Sequence, residues 1–163
     1  KICGNGEIGI IELRGENVFQ GYWEMPEKTV ESFREDGFFI TGDMAVRDAD
    51  GYISIVGRDK DLIITGGLNV YPREVESLVD EVAGVRESAV IGVPHPDFGE
   101  AVVAIVAAGP GAISADGVIE ALAGKLAKFK QPKSVHLVEA LPRNSMGKVQ
   151  KAALRKEYAG LFA

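Results

Sequence analysis

Between residues 57 and 82 the chain reads GRDKDLIITGGLNVYPREVESLVDEV. Four consecutive charged residues, Arg58-Asp59-Lys60-Asp61, stand between two apolar segments, and the texture of the sequence changes there. Residues 62–65 are apolar and β-branched, Gly66-Gly67 is turn chemistry, and Pro72 opens a helix over 72–82 whose Val75, Leu78, Val79 and Val82 share one face. Further on, 85–93 and 101–107 read as strands joined through a loop at Pro94-His95-Pro96 and Phe98-Gly99. Residues 114–128 read as a helix with Ser114 as N-cap and Val118, Ile119, Leu122 and Leu126 on its apolar face. Ser134–Val138 is a last strand, followed by a polar loop over 142–148 and a short basic helix over 151–158. Strand, helix, strand, strand, helix, strand is an α+β order, a small sheet with helices packed on it. Upstream, 7–13, 44–48 and 52–56 read as strands, the last two a hairpin across Asp50-Gly51, with a short helix near 25–33. The expected organisation is a β-rich segment over 1–59 and a smaller α+β domain over 60–163.

The 163 residues are 46% hydrophobic and 26% charged, the balance of an ordinary folded protein rather than a disordered one. No apolar run approaches the roughly 20 residues that cross a bilayer, and the first residues have no secretory pattern. Cys3 is the single cysteine, so no internal disulfide forms and a cytoplasmic setting without a membrane is expected. A net charge of -6 argues against a protein that grips nucleic acid by bulk charge. No GxxxxGK[ST] loop is present, and His95, His136 and Cys3 lack metal-like spacing, so no metal site is expected.

Several segments carry polar groups that chemistry could use. Thr41-Gly42-Asp43 follows the apolar Phe38-Phe39-Ile40 and places a carboxylate just past a strand end, where it can accept hydrogen bonds from a vicinal diol; an ordinary turn Asp reads the same way. Arg58-Asp59-Lys60-Asp61 reads either as a solvated loop held by its own ion pairs or as a place where Arg58 meets a nucleotide and the following residues bend. Gly66 and Gly67 lack a Cβ, which suits a tight turn and equally the close approach of another molecule. Lys148 ends the loop Pro142-Arg143-Asn144-Ser145-Met146-Gly147 and is followed by Lys151, Arg155 and Lys156, so it can act as a mobile cation toward a phosphate or carboxylate, or belong to a plain basic tail. Phe129, Lys130, Gln131 and Lys133 precede the last strand and either face a bound ligand or form a surface loop.

In this linear order the segments resemble the C-terminal motifs of the adenylate-forming superfamily, which comprises acyl-CoA synthetases, peptide-synthetase adenylation domains and luciferases. The residues that carry the resemblance are Gly21-Tyr22-Trp23 with Pro26-Glu27-Lys28-Thr29, Asp36-Gly37-Phe38 with Thr41-Gly42-Asp43, residues 57–61, Gly67 with Asn69-Val70-Tyr71-Pro72, Glu74-Val75-Glu76, and Pro142-Arg143 with Gly147-Lys148. Within the group, residues 21–29 and 38–43 look closest to the malonyl-CoA synthetases.

The resemblance implies a reaction in two halves. A carboxylate attacks ATP to give an acyl-adenylate and pyrophosphate, and a thiol then displaces AMP; ATP, Mg²⁺, CoA and a small carboxylic acid, malonate suspected, are the implied participants. By position, Asp43 would hold the ribose hydroxyls and Arg58 would assist at the nucleotide. Lys60 would be the hinge of the small domain, Gly66 and Gly67 would flank the pantetheine tunnel, and Lys148 would be the adenylation lysine. The family also implies reversible acetylation of Lys148 by a protein acetyltransferase, undone by a deacylase, and the exposed, flexible form expected of 142–148 suits that. Glu74 and Glu76 read as structural residues of a helix start. The family's phosphate loop and acyl pocket have no counterpart here, so the chain is expected to be a fragment, inactive alone. Ala163 reads as a natural end, which favours free CoA over loading of a carrier-protein thiol. A module that serves as an acetyltransferase substrate, and an unrelated α+β binding domain, are the other readings.

Overall fold

The computed structural model describes residues 2–109 and 111–163; Lys1, where the β-rich segment was expected to begin, lies outside them. The chain divides into two compact units, Lys1–Lys60 and Asp61–Ala163.

In the first unit the strands Ile8–Leu13 (β1), Phe39–Arg47 (β2) and Ile53–Arg58 (β3) form an antiparallel sheet in that order, with the helix Pro26–Ser32 (α1) between β1 and β2. The expected hairpin forms: the Asp48 carboxylate accepts from the Tyr52 amide at 2.9 Å, and the Asp48 amide donates to the Tyr52 carbonyl at 3.0 Å. Phe19 packs edge-on against Tyr22, Phe33 and Phe39, which holds α1 to the sheet. Arg34 donates to both Glu12 carboxylate oxygens, at 2.7 and 2.5 Å. Those hydrogen bonds hold the Glu12 carboxyl below its ordinary value. Whatever the pair contributes is therefore fully present above the unfolded carboxyl's pKa and disappears as pH falls through the lowered one.

The second unit is built on an apolar run that the pleat divides between two cores. Its elements are strands Ile63–Thr65 (β4) and Leu68–Val70 (β5), helix Pro72–Asp80 (α2), strands Val85–His95 (β6) and Gly99–Ala108 (β7), helix Ala115–Leu122 (α3), strand Ser134–Val138 (β8) and helix Lys151–Glu157 (α4). The sheet runs β5-β4-β7-β6, with β8 parallel to β7 over Val103 to Ala107. Residues 101–108 of β7 are all buried. Alternate side chains point to opposite faces, so Val102, Ala104 and Val106 meet Val75 and Val79 of α2 and Val118 and Leu122 of α3. Val103, Ile105 and Ala107 meet Leu141 and Leu154 on the other side. Each fully buried Val or Ile of this kind contributes about 1.5–3 kcal/mol by removal from water. The α+β architecture is as expected: two sheets and four α-helices among the described residues.

Three local expectations change. The helix expected over 114–128 stops at Leu122. Ser114 caps it by accepting from the Gly117 amide at 3.0 Å, but Gly124 disfavours continuation, and Leu126 reaches the core from a turn. The loop expected at Pro94-His95-Pro96 is partly strand, with Pro94 opposite Glu100 and His95 opposite Gly99. Pro94 is tolerated because β6 is an edge strand, where a missing donor breaks no ladder. Residues 68–70, unassigned in the sequence reading, form β5 because Gly66 and Gly67, with φ of 56° and 78°, make the two-residue primed turn that joins twisted strands.

Glu76 shows how α2 is fixed to the sheet edge. Its Oε1 accepts from the buried Val90 amide at 2.8 Å and pairs with the Lys151 ammonium at 2.6 Å. This is the structural role expected of it, and Glu74 likewise pairs with Lys130 at 2.7 Å. Glu76→Ala leaves an amide and an ammonium without a partner and should lower stability by about 1–3 kcal/mol, measured as a shift in the urea midpoint. Glu76→Gln, which can keep the bond to Val90, should lose less.

Candidate functional site

In the first unit, Asp43 and Arg58 are directly opposite each other on β2 and β3, and Arg58 Nε lies 2.7 Å from Asp43 Oδ1. The sequence reading placed Asp43 past a strand end; instead β2 continues through it, and Thr41-Gly42-Asp43 forms a bulge. Ile40 faces Glu12 while Met44 faces Ile10, so β2 carries two extra residues there. The Thr41 hydroxyl fills the gap, donating to the Ile11 carbonyl at 2.9 Å and accepting from the Asp43 amide at 3.0 Å. Gly42 takes φ 72°, and a Cβ there would sit 3.2 Å from Asp59 Oδ1. The result is a carboxylate with one oxygen on Arg58 and the other without a partner among the described residues. Such an ion pair at the surface is worth about 0–1 kcal/mol, so its value lies in orientation rather than stability.

The charged run does not pair within itself, as the solvated-loop reading held. Arg58 goes to Asp43, and Asp61 Oδ1 accepts from both terminal nitrogens of Arg155 on α4, each at 3.0 Å. Asp59–Asp61 is a single 3₁₀ turn in which the Asp59 carboxylate accepts from the Lys60 amide at 2.7 Å; the Lys60 side chain is exposed.

In the second unit the Gly66–Gly67 turn is pinned at its base. The Gly66 amide donates to the Phe98 carbonyl at 2.8 Å, Thr65 pairs with Gly99, and the Glu100 carboxylate accepts from the Ile64 amide at 2.8 Å. A Cβ on Gly67 would meet nothing within 4 Å, and one on Gly66 only Phe98 at 3.9 Å. Within the chain it is the positive φ, not crowding, that requires glycine at both positions. Gly67→Val should cost about 1–2 kcal/mol by forcing a β-branched residue into the left-handed region, read as a lower thermal midpoint with the rest of the sheet intact. Beside the turn, the Phe98 ring lies 4.7 Å from His95 and carries the Lys133 ammonium 4.9 Å above it. Of the neighbouring candidates, Lys130 goes to Glu74, the Gln131 side-chain Nε2 donates to the Leu126 carbonyl at 3.1 Å, and Phe129 packs on the core.

Lys148 is exposed, and its ammonium has no hydrogen bond or ion pair among the described residues, whereas Lys130, Lys151 and Arg155 are all paired. The loop that presents it is exposed as expected but not slack. Asn144 Oδ1 accepts from the Met146 amide at 3.0 Å and the Lys148 amide at 2.9 Å, and the Asn144 amide donates to the Lys148 carbonyl at 3.0 Å. Arg143 donates to the Gly147 carbonyl at 2.5 Å and pairs with Glu87 of β6. No hydrogen bond or ion pair joins Gly66, Gly67 and Lys148 among the described residues. Asn144, Glu100 and the Asp61–Arg155 pair went unread in the sequence; only Asn144 carried a local signal, an Asn ahead of a Gly in a polar loop.

Residues 74–148 match the family model described as the AMP-binding enzyme C-terminal domain, and Lys148 is the last residue matched. Residues 74–148 are thus an AMP-binding enzyme C-terminal domain. Its AMP-binding C-terminal domain is embedded in a wider likeness. MatB from Rhodopseudomonas palustris, solved with ATP bound, is 57% identical with a TM-score of 0.92, the match covering 99% of this chain and 32% of MatB. A methyl-dioxo-octahydroindenylpropanoyl:CoA ligase of Rhodococcus jostii is 48% identical over 93% of this chain and 30% of the ligase. The long-chain-fatty-acid–CoA ligase FadD13 of Mycobacterium tuberculosis is 43% identical over 97% of this chain and 33% of its own length. The chain thus spans about a third of the length of the curated relatives it matches.

Proposed function

We propose that this chain works as the C-terminal part of an AMP-forming acid–thiol ligase that joins a short carboxylic acid, malonate, to CoA at the expense of ATP. The observation that carries this reading is the unpaired, exposed Lys148 at the end of a hydrogen-bonded loop in the segment matched to the AMP-binding enzymes. In the first half-reaction a carboxylate oxygen attacks the α-phosphorus and pyrophosphate leaves; in the second the CoA thiol attacks the acyl carbon and AMP leaves.

The Asp43 oxygen left over by Arg58 accepts from the ribose diol, and Arg58, whose Nη1 donates to the Thr41 carbonyl at 3.4 Å, offers Nη2 to the nucleotide. Lys148 meets the charge that develops between the carboxylate and the α-phosphate. Lys60 is the hinge of the smaller domain, residues 60–163, and residues 1–59 are the end of the larger one. The Gly66–Gly67 turn lies along the pantetheine arm, where the absence of side chains leaves room. Mg²⁺ accompanies ATP as its counter-ion. Acetylation of Lys148 removes the charge and switches off adenylation, and the exposure of the loop admits an acetyltransferase and a deacylase. A cytoplasmic setting fits these substrates; no helix among the described residues is long and apolar enough to cross a membrane.

Support for malonate comes from the resemblance of residues 21–29 and 38–43 to malonyl-CoA synthetases, together with 57% identity to MatB against 43% to a long-chain-fatty-acid ligase. The test is product analysis of the full-length ligase with ATP, CoA and a panel of short acids. Malonate should give malonyl-CoA and AMP in equal amounts, ahead of acetate, propionate and succinate. This chain alone should give none, because the acyl pocket is not in it. Thioester from another acid with malonate inert would overturn the substrate, and thioester made by the chain alone would overturn its dependence on the rest of the ligase.

A further inference from the structure

Lys148 is bound at both backbone groups to one residue. The Asn144 carboxamide oxygen accepts from the Lys148 amide at 2.9 Å and from the Met146 amide at 3.0 Å, while the Asn144 backbone amide donates to the Lys148 carbonyl at 3.0 Å and its carbonyl accepts from Gly147 at 2.9 Å. These four bonds close a loop of five residues, 144–148, whose other side chains are exposed and whose further ties among the described residues are Arg143 to the Gly147 carbonyl and the bridge between Arg143 and Val149. The Lys148 ammonium itself has no partner among the described residues to fix it. The direction in which its side chain leaves the protein is therefore set by the backbone at 148, and that backbone is set by Asn144.

We propose that Asn144 is a positioning residue for adenylation: its carboxamide presets the loop so that the Lys148 stem points at the reacting phosphate before substrate arrives. The proposal rests on the role given to Lys148 above and adds a residue to it. A neutral acceptor suits the place, since a carboxylate at 144 would offer the ammonium a partner and draw it back onto the loop. Deleting the carboxamide leaves two amides to water at an exposed site, which costs little stability, but it frees the loop. A displacement of about 1 Å at a catalytic group can cost on the order of 100-fold in rate.

The experiment compares wild type, Asn144→Ala, Asn144→Thr and Lys148→Ala in the full-length ligase, by ATP–pyrophosphate exchange and by thioester formation from acyl-adenylate supplied ready-made. Asn144→Ala should lower kcat for exchange about 10- to 100-fold with KM for ATP nearly unchanged, and leave the thioester step at the wild-type rate. Asn144→Thr, whose hydroxyl can still accept from the amide two residues on, should recover much of the loss. Hydrogen exchange on this chain should show faster exchange at Met146 and Lys148 in Asn144→Ala and not elsewhere. Exchange at the wild-type rate in Asn144→Ala, or equal losses in both half-reactions, overturns the proposal. If Asn144→Ala is normal while Lys148→Ala is inactive, only the positioning role falls; if Lys148→Ala exchanges normally, the reading of Lys148 falls and takes this one with it.

Discussion

Lys148→Ala should lower the rate of adenylation by about a thousandfold while leaving the fold unchanged. A cation about 4 Å from a developing negative charge gains roughly 4 kcal/mol at an effective dielectric near 20. Each 1.36 kcal/mol is about a factor of ten in rate, so the loss is about three decades. Stability should not move, because the side chain is exposed and its ammonium touches nothing among the described residues. Lys148→Gln, neutral like the acetylated residue, should lose as much as alanine. Lys148→Arg keeps the charge and should retain part of the rate, limited by its wider, planar head group. The measurement is pyrophosphate exchange by the full-length ligase, with urea denaturation of each variant beside it. A loss in Lys148→Gln much smaller than in Lys148→Ala would mean that length rather than charge matters, and would remove the electrostatic argument.

Leu154→Ala should be the most damaging single truncation in the second unit outside β7. Leu154 is the only buried side chain of α4, 2% exposed, and it sits against Ile91, Ile105 and Leu141. Truncating a buried leucine costs about 2–5 kcal/mol, the lost transfer energy plus the cavity left behind. Seven residues make too short a helix to persist without its anchor, so Lys151 should release Glu76 and Arg155 should release Asp61. Ala152→Gly, at an exposed position of the same helix, should cost only about 1 kcal/mol. Urea denaturation of residues 61–163 followed by circular dichroism separates the two. Equal midpoints would mean that α4 is held by its ion pairs and not by Leu154.

The sequence made the architecture legible where a period or a turn residue carried it. The 3.6-residue spacing of Val75, Leu78 and Val79 marked α2, the unbroken apolar run 101–107 marked a strand, and Asp50-Gly51 marked a hairpin. It was misleading where the deciding partner is far along the chain. Asp43 looked like a residue past a strand end because Thr41-Gly42 resembles a turn, and only Ile11, thirty positions earlier, turns that segment into a bulge. One of the two readings of the charged run 58–61 had it paired within itself, because Arg155 is 94 residues from Asp61. For the site, the motif order brought out Asp43, Arg58, Lys60, Gly66, Gly67 and Lys148, but not the groups that hold them. Glu100 and Asn144 act through backbone amides, and only Asn144 left a sign of it, as an Asn ahead of a Gly in a polar loop.

The proposed function divides the labour: Lys148 serves adenylation and the Gly66–Gly67 turn serves thioester formation. Its most direct test supplies the full-length ligase with ready-made malonyl-adenylate and CoA, and compares Lys148→Ala with Gly67→Val. Lys148→Ala should form malonyl-CoA at the wild-type rate and Gly67→Val should not, while the order should reverse in pyrophosphate exchange. A Lys148→Ala variant as slow with the adenylate as it is with ATP would contradict it.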